Sequence, residues 1–228
     1  MRILIVLFAT FACAPALHAQ DSLRLQPEVL FPAVDTMYTV GPDGDTIARS
    51  VQTLRRGTLD GAEVWELEYR FRSSRGRMAD TTFFDPATLL PREQRREGGP
   101  RRFRVRYEDG RIVLHRGPSP AGDGADSVVL DAPPPVFAGS MVDLVYRALP
   151  LRTDYEARIS SFLPEGPRTW VQTVLVDGIG IVETREGPAE AWRVSVGATG
   201  GPADVFWIDR RTRALLRIDH PGGFSTIR

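Results

Sequence analysis

Apolar and polar residues alternate along most of this chain, the signature of strands with one face in a core and the other in water. In VWELEYRFR, Trp65, Leu67, Tyr69 and Phe71 share one side while Glu66, Glu68, Arg70 and Arg72 take the other. RFRVRYEDGRIVLHR repeats the pattern around Asp109-Gly110, a dipeptide that tolerates the positive φ of a two-residue primed turn. With those two as the loop, Tyr107 faces Ile112 and Val105 faces Leu114. Further strand-like runs cover 37–40, 47–54, 128–130, 155–159, 170–176, 181–185, 191–196, 205–208 and 214–218. Clusters of Gly, Pro and Asp punctuate them as turns, and VDGIGIVE reads as a bend between two strands. The longest irregular stretch is 117–126.

One segment breaks the rhythm. In AGSMVDLVYRALPL, Met141, Leu144, Val145, Ala148 and Leu149 follow the spacing of an amphipathic helix. Ser140 is placed to cap its start with Asp143 three residues on, and Pro150 stops it. A helix of about ten residues is about 15 Å long. Eight strands spaced at about 4.8 Å make a sheet nearly 40 Å across. The helix cannot cover such a face, so the sheet must curl, fold onto a second layer, or leave a groove for something else. The fold expected is mainly β: a curved antiparallel sheet, half-open barrel or sandwich-like, with one short covering helix near 140–149.

A motif occurs twice. FFDPATLLPREQR begins at Phe83 and FWIDRRTRALLRID at Phe206, and each places an Asp three residues before a Thr ahead of paired leucines. Asp at the first turn position accepts nearby backbone N–H groups, and Pro86 presets φ at the next. The economical reading is one hairpin built twice; the preceding GAEVWELEY and GPAEAWRVSV echo each other as an internal duplication would. A catalytic acid–base pair of Asp85 and Asp209 would need both carboxyls in one cleft, and nothing in the sequence brings them together.

The first nineteen residues carry Arg2, the apolar run ILIVLFATFACA and the small-residue site PALHA, the form of a signal peptide. The expectation is a secreted or periplasmic chain with a single β-rich domain over 20–228. The apolar run is short of the roughly twenty residues a spanning helix needs, and no later segment qualifies, so no transmembrane helix is expected. Cys13, the only cysteine, lies in that leader behind a poor lipidation context. Without it, disulfides, thiol nucleophiles and thiolate metal sites drop out.

The formal net charge is +0, which gives no bulk attraction for nucleic acid. The basic side chains are all Arg, and Lys and Asn are absent, a composition that carries no functional argument. His115 and His220 lack metal-ligand spacing, so no metal or cofactor is expected. Ser140 lacks the G-x-S-x-G elbow of a nucleophile. Arg92, Arg95, Arg96, Arg101, Arg102, Arg104 and Arg106 form the densest charge cluster. That strip offers phosphate-binding guanidiniums, or it is a solvated face paired with acids such as Glu66 and Glu68 across strands.

The aromatic-led D-x-x-T-L-L-P hairpin at 84–91, YRALPL at 146–151, AWRV at 191–194 and FWIDRRTRALLRI at 206–218 together resemble a family of secreted bacterial domains of unknown function. That family is similar in architecture to the periplasmic lipoprotein carriers LolA and LolB. The resemblance implies a curved sheet around helical cover with an apolar cavity for acyl chains, and it transfers no individual residue. Those carriers rely on more than one covering helix, where one is expected here. The expected function is non-enzymatic: a concave apolar face holding a lipid, a lipoprotein or another hydrophobic partner. Trp65, Leu67, Tyr69, Phe71, Met141, Leu144 and Val145 are the candidate ligand-facing residues. The alternative is a closed cell-envelope module that meets protein partners at its edges or its Arg strip.

Overall fold

The computed structural model describes residues 23–97, 102–117, 126–198 and 201–228. The proposed leader with Cys13, Arg101 and most of the 117–126 loop lie outside the described residues. The first half of the chain forms β1 (Ala33–Val40), β2 (Thr46–Leu59), β3 (Ala62–Ser73), β4 (Gly76–Phe84), β5 (Pro91–Glu97), β6 (Phe103–Glu108), β7 (Arg111–Arg116) and β8 (Asp126–Asp131). After β9 (Val136–Ala138) comes helix α1 (Val142–Arg147), entered through a 3-10 turn at Gly139–Met141. The second half forms β10 (Tyr155–Leu163), β11 (Arg168–Thr184), β12 (Gly187–Gly197), β13 (Ala203–Asp209), β14 (Leu215–Asp219) and β15 (Ser225–Ile227).

All fifteen strands belong to one open, curved sheet ordered β8-β7-β6-β5-β4-β3-β2-β1-β15-β14-β13-β12-β11-β10-β9. Neighbours are antiparallel except β9 and β10, which run parallel. Laid flat, fifteen strands would span about 67 Å. Its two edge strands, however, are consecutive in the chain, and the five steps from Asp131 to Val136 reach about 18 Å at most. The sheet therefore curls until its edges nearly meet. Val136 of β9 and Phe162 of β10 pack onto Phe103, Val105, Ile112 and Leu114 of β6 and β7, and the Tyr107 and Phe162 rings meet edge to face.

Curling changes what the helix does. Expected as a ten-residue cover with one apolar stripe, it is six α-helical residues enclosed by the sheet, with Asp143, Tyr146 and Arg147 buried beside Leu144 and Val145. Met141, Leu144, Val145, Tyr146, Ala148 and Leu149 join the main core with Trp65, Leu67, Phe84, Ile159, Val194 and Ile208. Its polar groups find partners inside: the Tyr146 hydroxyl donates to Gln172 Oε1 at 3.0 Å and Arg147 Nε to the Arg213 carbonyl at 2.7 Å. Ser140 does not cap the helix; its hydroxyl pairs with Thr82 at 2.8 Å, because the 3-10 turn places it against β4.

The Asp109-Gly110 register holds, with Tyr107 opposite Ile112 and Val105 opposite Leu114. Only Gly110 has positive φ there, however. The hairpin with both loop residues at positive φ, the primed form, is Asp60 (φ 50) and Gly61 (φ 81), joining Leu59 to Ala62. VDGIGIVE is no bend between two strands: β11 runs through it, absorbing the irregularity as a bulge between Val176 and Gly178.

The doubled motif is the same turn built twice. Asp85 Oδ1 accepts from the Ala87 N–H, the Thr88 N–H and the Thr88 hydroxyl at 3.0, 3.0 and 3.1 Å. Asp209 Oδ1 accepts from the Arg211 N–H, the Thr212 N–H and the Thr212 hydroxyl at 2.9, 2.6 and 2.8 Å. The residue after each Thr takes a left-handed φ, 58° at Leu89 and 59° at Arg213. Each incoming strand carries a register shift at its last residues, between Phe83 and Phe84 and between Trp207 and Ile208.

Candidate functional site

Residues opposite one another in an antiparallel sheet share a face and form rungs across it. On the concave face the rung Leu54, Leu67, Thr82, Gln94 and Val105 lies toward the core. The next is almost wholly polar: Gln52, Tyr69, Asp80 and Arg96, ending at Phe103. Beyond it come Met37, Ser50, Phe71 and Met78, and then Thr39, Ala48 and Ser73. These outer rungs wall a cavity of about 1020 Å³, at the upper end of the roughly 300–1,000 Å³ usual for small-molecule sites. Phe206, Leu215 and Ile218 close its far side, and the exposed Ile47 and Phe224 stand at its rim.

The polar rung and the start of the helical segment make the floor. Gln52 hydrogen-bonds the Asp143 carboxylate, and Ser50 bonds the Tyr69 hydroxyl. Asp143 is 7% exposed, and its Oδ2 atom has no hydrogen-bond partner. Burial raises the Asp143 pKa, outweighing Arg147 and the Gln52 hydrogen bond, which act to lower it. Tyr69 is raised as well, again chiefly by burial.

Arg96 holds the side of the floor. Its Nε and Nη2 donate to the two oxygens of Asp80 at 2.6 and 2.7 Å, and its Nη1 lies 2.6 Å from Glu165 Oε1 in the β10–β11 turn. Burial alone would lower its pKa, but Asp80 and Glu165 outweigh that and raise it. The Arg96–Glu165 pair ties a turn near one end of the sheet to β5. His220 also lines the cavity, with Nδ1 2.9 Å from Asp204 Oδ1 and Nε2 3.1 Å from Thr226 Oγ1.

The structure divides the seven candidate residues. Tyr69 and Phe71 line the cavity, whereas Trp65, Leu67, Met141, Leu144 and Val145 are buried in the core beneath its floor. Gln52, Asp80, Asp143 and His220 line the cavity without standing among the candidates, and Arg96 of the Arg strip turns into it. Gln52, Asp80 and Arg96 share one signal, a row across strands that is invisible along any single strand. Arg92, Arg95, Arg104 and Arg106 of the Arg strip are ion-paired, but not to Glu66 and Glu68, which pair with Arg55 and Arg70. Glu93, set within β5 itself, takes Arg95, Arg104 at 2.7 Å and Arg106 at 3.8 Å, and Asp85 takes Arg92 at 2.8 Å.

Asp85 and Asp209 each have their carboxylate committed to their own turn. Burial acts to raise both, and it is outweighed by hydrogen bonds, from Arg92, Thr88 and Ala87 at Asp85 and from Thr212 and Arg211 at Asp209, so both pKa values lie below the ordinary carboxylate value. Neither is the proton-holding carboxyl that a general acid requires at neutral pH. Among the described residues, no group of three or more His, Cys, Asp or Glu is placed to hold a metal ion, and no helix is long and apolar enough to cross a membrane.

The chain belongs to the family described as Protein of unknown function (DUF3108), whose model matches residues 36–227. That span takes in every residue that lines the cavity, from Met37 to Thr226. No curated protein and no solved structure matches it.

Proposed function

We propose that this protein is a non-enzymatic binding protein of the bacterial periplasm or exterior, whose concave cavity holds a lipid, a lipoprotein acyl group or a similar hydrophobic partner. The observation that carries this reading is the cavity of about 1020 Å³ that the curled sheet and its enclosed helix leave unfilled. Met37, Phe71, Met78, Ile218 and Phe224 give it apolar walls. Burial of acyl carbons there stabilises a complex by about 0.8 kcal/mol per CH₂ without any cofactor. The leader-like first nineteen residues, and the similarity in architecture between the family that the hairpin and helix motifs resemble and the carriers LolA and LolB, support the same reading.

Native mass spectrometry of the full chain after gentle extraction tests it. A co-purified lipid, or uptake of an added single-chain lipid that Ser50→Trp abolishes by filling the cavity, is the expected result. Uptake that survives Ser50→Trp would place binding elsewhere. An envelope protein partner retained equally by the wild type and the filled variant, with no lipid uptake, would favour the interaction-module alternative.

A further inference from the structure

The order of layers in the cavity deepens the proposed function and rests on it. A site for a hydrocarbon end would put apolar side chains at its deepest point. Here the deepest layer is Gln52, Tyr69, Asp80 and Arg96 with Asp143, and the apolar Met37, Phe71 and Met78 lie one rung nearer the rim. The bonds within that layer survive either entry, but an acyl chain entering tail first sets methylenes against it and leaves Asp143 Oδ2 without a partner, a cost of roughly 1–3 kcal/mol. A molecule entering polar end first matches both layers. From Gln52 to Ala48 the wall rises four residues, about 13 Å, which leaves the tail lying along the apolar rung to the mouth.

The charges of the floor restrict that polar end. Arg96 already directs Nε and Nη2 to Asp80 and Nη1 to Glu165. Arg75, the other arginine lining the cavity, stands exposed in the β3–β4 turn. The group left with bonding capacity is an acceptor: the unpartnered Oδ2 of Asp143, in a side chain more than nine-tenths buried. A carboxylate or phosphate offers only acceptors to that oxygen, beside the Asp80 carboxylate, whereas a hydroxyl donates to it. We propose that the cavity selects single-chain amphiphiles with an uncharged, hydroxyl-bearing polar end, inserted head first so that a hydroxyl donates to Asp143.

Calorimetric titration of the full chain at neutral pH with 1-monolauroylglycerol and with laurate, both below their aggregation concentrations, tests this. The glyceride is expected to bind about tenfold more tightly, the upper end of the range for one net hydrogen bond. Asp143→Asn, an isosteric change, is expected to weaken the glyceride, strengthen laurate and so narrow the gap. Laurate binding as tightly as the glyceride to the wild type, or an unaltered gap in a folded Asp143→Asn, overturns the head-first hydroxyl assignment and leaves the cavity reading standing. Failure of both compounds to bind overturns the cavity reading as well.

Discussion

Asp85 and Asp209 look alike in the sequence because each accepts the same three hydrogen bonds in the same turn. That role was legible from residue type and spacing alone, since Asx turns are local. Replacing Asp209 by Ala should cost about 2 kcal/mol in urea unfolding, the usual value for hydrogen bonds to a charged acceptor. The pH dependence has a definite sign. Both folded pKa values are depressed, so the carboxylates contribute stability above the ordinary value near 3.8 and lose it as pH falls through the folded values. An Asp85→Asn, Asp209→Asn double variant should lose less stability than the wild type across that acid interval. Asp143 has the opposite sign: its folded pKa is raised, so its contribution is present below 3.8 and is lost as pH rises through the folded value. Thermal melts of the ligand-free protein should accordingly show Asp143→Asn gaining on the wild type as pH rises.

Among the elements, hairpins were the most legible and the helix the least. Alternation and a two-residue turn signal placed β6 opposite β7 residue by residue. The same signal stands at Asp60-Gly61, where both residues take positive φ and the longer β2–β3 hairpin turns. Gly61→Val should destabilise by about 1–2 kcal/mol in urea unfolding, because a β-branched side chain is strained at φ 81. The helix was found by its apolar stripe, but its partners lie far along the chain. Tyr146 bonds Gln172, and Arg147 bonds the Arg213 carbonyl and lies 3.7 Å from Asp35. A stripe argument assumes one wet face, and a sheet that closes around the helix removes it.

For the molecule as a whole, counting strands against one short helix was enough to require curvature, and the single curled sheet meets that requirement. The cavity was only half legible. Tyr69 and Phe71 followed from the apolar face of β3, yet that face is not uniform: at Tyr69 it crosses a polar rung supplied by Gln52, Asp80 and Arg96. Register between strands aligns those residues, and each sits unremarkably within its own strand. The account therefore turns on whether an amphiphile occupies this space in a fixed direction. Isotope-filtered NMR of the full chain with 1-monolauroylglycerol measures that most directly. It should give contacts from the chain methylenes to the methyls of Met37, Met78 and Ile218 and from the glycerol protons to Gln52 and Tyr69. Contacts from the terminal methyl to Gln52 and Tyr69, or contacts only to the exposed Val171 and Leu175 of β11, would contradict it.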